Sequence, residues 1–184
     1  EENDKSLLPD KLYKFKNVDI RFCENGLSSY KKIIPSLKEN DNRFIVTFDD
    51  DIIYPNNSLE ALIIKSKKFP NYVIANRIHE IKLKNSLPDE YNKWCKNFTG
   101  DNNLNFFTGV GGVLYPPKCF YKDILKVKIF KKLSPYADDI WLYWMVRLNN
   151  RFVFWSGFNK KNIEVINFDK KNLKKLNISK NFND

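Results

Sequence analysis

Residues 43–55 read RFIVTFDDDIIYP: a β-branched and aromatic run, three consecutive aspartates, then a second short apolar run closed by Pro55. The first run has the composition of an interior strand. Side chains alternate along an extended chain, so Asp49 and Asp51 project to one side and Asp50 to the other. The carboxyl end of a strand is where open α/β sheets bind ligands. Adjacent carboxylates repel one another, and a divalent cation bridging them to phosphate oxygens relieves that repulsion. The competing reading is a solvated turn, or an N-terminal cluster serving the helix that follows.

Outward from this strand the pattern alternates between strands and helices. VDIRFC (18–23) reads as a short strand ended by the turn signal ENG. SSYKKIIPSLKEN reads as a helix capped by Ser28 or Ser29 and bent at Pro35. NNSLEALIIKSKKF (56–69) reads as a capped helix and YVIANRIHEIKL (72–83) as one strand. Residues 84–108 read as a polar and aromatic loop around Trp94, long enough to suggest function. Beyond it come a glycine turn and the strand VLYPP, a helix over Phe120 to Val127, and a helix opened by SPYADD. The strand RFVFW, the weaker strand IEVINF and a basic helical tail over 168–184 complete the pattern. This order predicts an α/β layered fold with a mixed, mostly parallel sheet flanked by helices, and one domain over residues 1–184 behind a leading segment 1–16.

Composition narrows the class. A chain of 184 residues, 42% hydrophobic and 15% aromatic, can bury a core. No apolar run approaches the roughly 20 residues of a membrane-spanning helix, and no apolar segment with a cleavage site follows Glu1, so no secretion signal is expected. Cys23, Cys95 and Cys119 form neither a disulfide ladder nor a metal pair, which points to a reducing compartment. The sequons at Asn56, Asn97 and Asn177 carry no weight in a chain so rich in asparagine. A net charge of +10 favours an anionic partner: a phosphorylated small molecule, nucleic acid or an anionic membrane face.

Three further clusters could do chemistry. Asp138 and Asp139 open the helix IWLYWMVRL, where Trp141, Trp144, Met145 and Leu148 fall at core spacing. They would cap that helix and complement its dipole, and the helix terminus would keep a carboxylate ionised as a general base requires. Half of the chain's six glycines sit in TGVGG as Gly109, Gly111 and Gly112, a turn or a close approach to a ligand. No Gly-Lys-Ser/Thr follows, so this is not a P-loop. His79 and Arg77, without a second histidine or cysteine at ligand spacing, read as core or surface residues.

Together SSYKKIIPSL, IVTFDDDIIYP, NFFTGVGGVLYPP and SPYADDIWLYWM resemble, in order and spacing over about residues 15–150, bacterial GT-A-fold glycosyltransferases of capsular and cell-surface polysaccharide synthesis. The resemblance implies that Asp49, Asp50 and Asp51 form a DxD motif holding Mn²⁺ or Mg²⁺ against a nucleotide-sugar diphosphate. It implies Lys31 and Lys32, with Asp50, beside the donor phosphates. Asp139, with Asp138 second, would be the base of an inverting reaction. Gly109, Gly111 and Gly112 would line donor sugar and acceptor, and Trp94 and Trp141 would offer stacking surfaces to a sugar ring. Such domains open with a strand that grips the nucleotide base, then a helix and a second strand. Only EENDKSLLPDKLYKF precedes VDIRFC, so the expectation is a chain lacking that first β-α-β portion.

The expected activity is therefore metal-dependent transfer of a sugar, most simply from a UDP-sugar, to a hydroxyl of a surface glycan. The expected location is the cytoplasm or the inner membrane face, with no nucleic-acid partner and with oligomerisation left open. Two rivals stand beside it: a metal-dependent nuclease or phosphotransferase, and a non-catalytic remnant that binds glycan or a partner protein.

Overall fold

The computed structural model describes residues 8–23, 25–158 and the backbone of 164–165; the basic tail lies outside them. The triplet's strand is β1 (Ile45–Thr47), preceded by a 3₁₀ turn Ser28–Lys32 and the short helix α1 (Ile34–Glu39). Pro35 sits in the first turn of α1, where its missing N–H costs nothing, and so separates the two helical pieces. Residues 18–23 form no strand. After β2 (Ile52–Ile53) comes α2 (Ser58–Lys68), then β3 (Val73–Ala75) and β4 (Ile78–Glu80). The expected single strand 72–83 is thus two, broken at Asn76–Arg77, and the halves belong to different sheets.

The stretch expected to be loop is largely built. It holds a hairpin of β5 (Leu83–Lys84) and β6 (Leu87–Pro88), then β7 (Cys95–Phe98) and β8 (Asn105–Phe107). The hairpin turns on Asn85 and Ser86, both at positive φ as a two-residue turn between strands requires. Next are β9 (Val113–Tyr115), α3 (Val127–Leu133), α4 (Asp138–Leu148), β10 (Val153–Trp155) and β11 (Glu164–Val165). The helix expected over 120–127 is displaced to α3; residues 122–125 are turns.

The main sheet runs β1-β9-β3-β10. Side-chain alternation sorts its two faces. Val73, Ala75, Val113, Tyr115 and Val153 join the main core with Ile34 and Leu37 of α1, Phe130 of α3, and Trp141, Leu142 and Met145 of α4. Ile74, Leu114 and Phe154 face the other way onto Leu62 of α2. Helices therefore cover both faces, and the fold is mixed α/β. The sheet is not mostly parallel: among the described residues only β3 with β10 pairs parallel, while β9 runs antiparallel to both β1 and β3. A second sheet, β7-β4-β8, is antiparallel throughout.

In α4 the buried face is not the expected one. Trp141 and Met145 are buried, but Trp144 is 43% exposed and Leu148 56% exposed. The core stripe follows Asp138, Trp141, Leu142, Met145 and Val146, so the aspartate lies on the buried side of the helix.

Candidate functional site

The carboxyl end of β1, the turn before β9, the first turn of α4 and the end of the 28–32 turn meet at one corner of the main sheet. Tyr30 fixes the last of these. Its ring stacks on Phe130 at 4.0 Å and its hydroxyl donates to the Ser134 carbonyl at 2.7 Å. Two residues on, Lys32 is aimed inward, and its ammonium lies 3.0 Å from Asp49 Oδ1 and 3.0 Å from Asp138 Oδ2. The Gly109 amide donates to Asp139 Oδ2 at 2.9 Å. Any Cβ at residue 109 would lie 2.6 Å from Lys32 Nζ and 3.0 Å from Asp139 Oδ1, so only glycine lets this backbone reach the cluster. Gly112 sits at φ +87°, and a Cβ there would strike the Phe48 ring at 2.4 Å.

Three carboxylates thus share one lysine. Burial alone would lower the Lys32 pKa, but Asp139, Asp138 and Asp49 together raise it, so the ammonium stays charged. One cation cannot balance three anions in a desolvated corner, and the surplus falls on Asp139. Burial first and then Asp138 push its carboxyl up to about 7, against the pull of Lys32 and the Gly109 amide. Its Oδ1 is sealed from solvent without a hydrogen-bond partner. The helix N-terminus, expected to keep this group ionised, is outweighed by burial. Nor does Asp138 cap α4: Ala137 holds the N-cap position, with no side-chain cap bond.

Two tyrosines complete the corner, and neither was singled out from the sequence. Tyr54 accepts the Asp49 amide at 3.0 Å and donates to the Val110 carbonyl at 3.1 Å, tying the acidic turn to the glycine turn. Burial, as the leading cause, pushes its pKa up to about 12. The Tyr115 hydroxyl is sealed and unpartnered, and burial followed by the Asp139 charge keeps it a phenol. The one available sequence signal was position: Tyr54 and Tyr115 each lie within three residues of a quoted cluster.

The remaining expected residues divide. Asp50 and Asp51 are exposed turn residues, and Lys31 is exposed beside Lys32. Among the described residues no group of three or more histidines, cysteines, aspartates or glutamates is placed to hold a metal ion by itself. Trp141 is 5% exposed and donates its indole N–H to the Ile124 carbonyl at 3.2 Å, so it offers no open face to a sugar. Trp94 is half-buried, packed against Tyr91 and Phe106, with its indole N–H on the Asp89 carbonyl at 2.7 Å. His79 is a core residue of β4, its Nδ1 accepting the Asn97 amide at 3.0 Å.

No family model, curated protein or solved structure matches the chain. Among the described residues no helix is long and apolar enough to cross a membrane.

Proposed function

We propose that this chain is a metal-dependent, inverting glycosyltransferase of the GT-A type, moving a sugar from a nucleotide diphosphate to a hydroxyl of a surface or capsular glycan. The observation that carries the reading is the convergence of Lys32, Asp49 and Asp139, from three separate sequence motifs, into one part-buried cluster. A carboxyl with its pKa near 7 is matched to taking a proton from a hydroxyl at neutral pH. Asp139 is that base, held in register by the Gly109 amide. Asp138 raises its proton affinity, and Lys32 keeps the cluster from repelling itself apart.

The donor set suits Mn²⁺ or Mg²⁺ of a particular kind. Asp49 is engaged by Lys32, while Asp50 and Asp51 present hard oxygen ligands at the surface. That is too few to cage an ion but enough to hold one that arrives with phosphate oxygens and water. When bound, the ion would neutralise charge developing on the leaving diphosphate. Lys31 stands at the same rim as a further cation for the phosphates. Calorimetric titration with UDP, with and without Mn²⁺, tests this. Binding should require Mn²⁺ and be lost in Asp51→Ala; metal-independent binding, or none, would count against the donor site. The +10 charge favours loose attachment to an anionic membrane face. Sedimentation with anionic vesicles at low salt and release at high salt is the expected result, and indifference to the vesicles contradicts it.

A further inference from the structure

Arg77, in the break between β3 and β4, stands at the far end of the glycine turn from Lys32. Gly111 packs directly on it, a Cβ at 111 falling 2.5 Å from the Arg77 Cβ. The guanidinium donates to two neutral acceptors, Asn97 Oδ1 at 3.0 Å and Thr108 Oγ1 at 3.2 Å. Among the described residues no carboxylate forms an ion pair with it. Burial lowers its pKa, against the opposing effects of Tyr91 and then of Asp139, which makes no ion pair with it. The nearby Asp101 is already engaged, by Lys65 at 2.9 Å and by the Trp155 amide at 3.1 Å. Arg77 is half-buried, its remaining donors are open to solvent and so to an anion, and its planar fork suits phosphate or carboxylate. Arg77 also lines a cleft of about 430 Å³, with Asn76, Asn97, Phe98, Trp155 and Phe158. That volume is in the range of small-ligand sites, and its mixture of aromatic rings and amides suits a sugar.

We propose that this cleft binds an acidic sugar, with Arg77 taking the phosphate or carboxylate and Trp155 packing on the ring. Applied to the transfer reaction, the site makes the acceptor an acidic glycan. That assignment rests on the transferase reading, whereas binding of the anion stands without it.

The test is amide and arginine-Nε NMR of the full chain at fixed ionic strength, titrated with glucose 6-phosphate, glucuronate and, as the neutral control, glucose. Saturable shifts at Arg77 Nε and at the amides of Thr99 and Gly157, which also line the cleft, are expected with an acidic sugar and absent with glucose, and the tighter of the two acids identifies the anion. Arg77→Gln should weaken binding at least tenfold, with Arg77→Lys between the two. Equal shifts with glucose, no saturable shift with either acid, or undiminished binding in a folded Arg77→Gln would overturn the site. If Arg77→Gln loses spectral dispersion, Arg77→Lys decides: unchanged affinity overturns the proposal, a several-fold loss supports it. The UDP titration separates the two readings. Cleft binding without any UDP response sinks the transferase alone, and UDP binding without cleft binding sinks this site alone.

Discussion

Lys32 is the residue on which the cluster turns. It was expected at the rim, beside donor phosphates, and it lies among Asp49, Asp138 and Asp139 instead. No local pattern distinguishes it from Lys31, because which of two adjacent lysines points inward is decided by the anchoring of Tyr30 on Phe130 and Ser134. The acidic partners were legible, since carboxylates beside a strand end and a helix start are unusual enough to notice. Their proton affinities were not, because burial is a property of the folded whole. A raised Asp139 pKa means that the native state keeps a proton the unfolded chain releases. The stability it contributes is complete below the ordinary carboxyl value near 4 and is lost as pH rises through about 7. Asp139→Asn should therefore be more stable than the parent by on the order of 1 kcal/mol at pH 8, with the gap closing by pH 5. Lys32→Met should do the reverse, losing on the order of 3 kcal/mol at pH 8 by stranding buried carboxylates and recovering as they protonate. Thermal unfolding at the two pH values reads both, and a pH-independent difference for either variant contradicts the assignment.

At the scale of the element, α4 shows what periodicity does and does not convey. The helix was legible from its apolar content, but its buried stripe was placed one position off. Trp144 and Leu148 drew the eye as large apolar residues, yet the stripe runs through Asp138, Leu142 and Val146. A carboxylate on a core face makes apolar size a poor guide to orientation. Trp141→Ala should cost about 3–5 kcal/mol, as for a buried aromatic, and Trp144→Ala less than about 1 kcal/mol. Denaturant titrations of the two variants check this, and comparable losses would contradict the orientation. The same limit explains the split of β3 from β4. Residues 72–83 carry a continuous strand composition, and nothing in it marks Asn76–Arg77 as the point where the chain passes from one sheet to the other.

For the whole molecule, the α/β class was legible from alternating strands and helices, but strand direction was not. Alternation with a period of two looks the same in parallel and antiparallel pairs, so the insertion of β9 between β1 and β3 is invisible until the chain is folded. That insertion carries the glycine turn to the corner where β1 ends and α4 begins. The central claim is that this assembly sets the proton affinity of Asp139. The most direct test is a ¹³C-carboxyl NMR titration of Asp139 in the parent chain and in Asp138→Asn. The account predicts an apparent pKa near 7 in the parent, lowered when the neighbouring charge at 138 is removed. An ordinary carboxylate value near 4, with no response to Asp138→Asn, would contradict it.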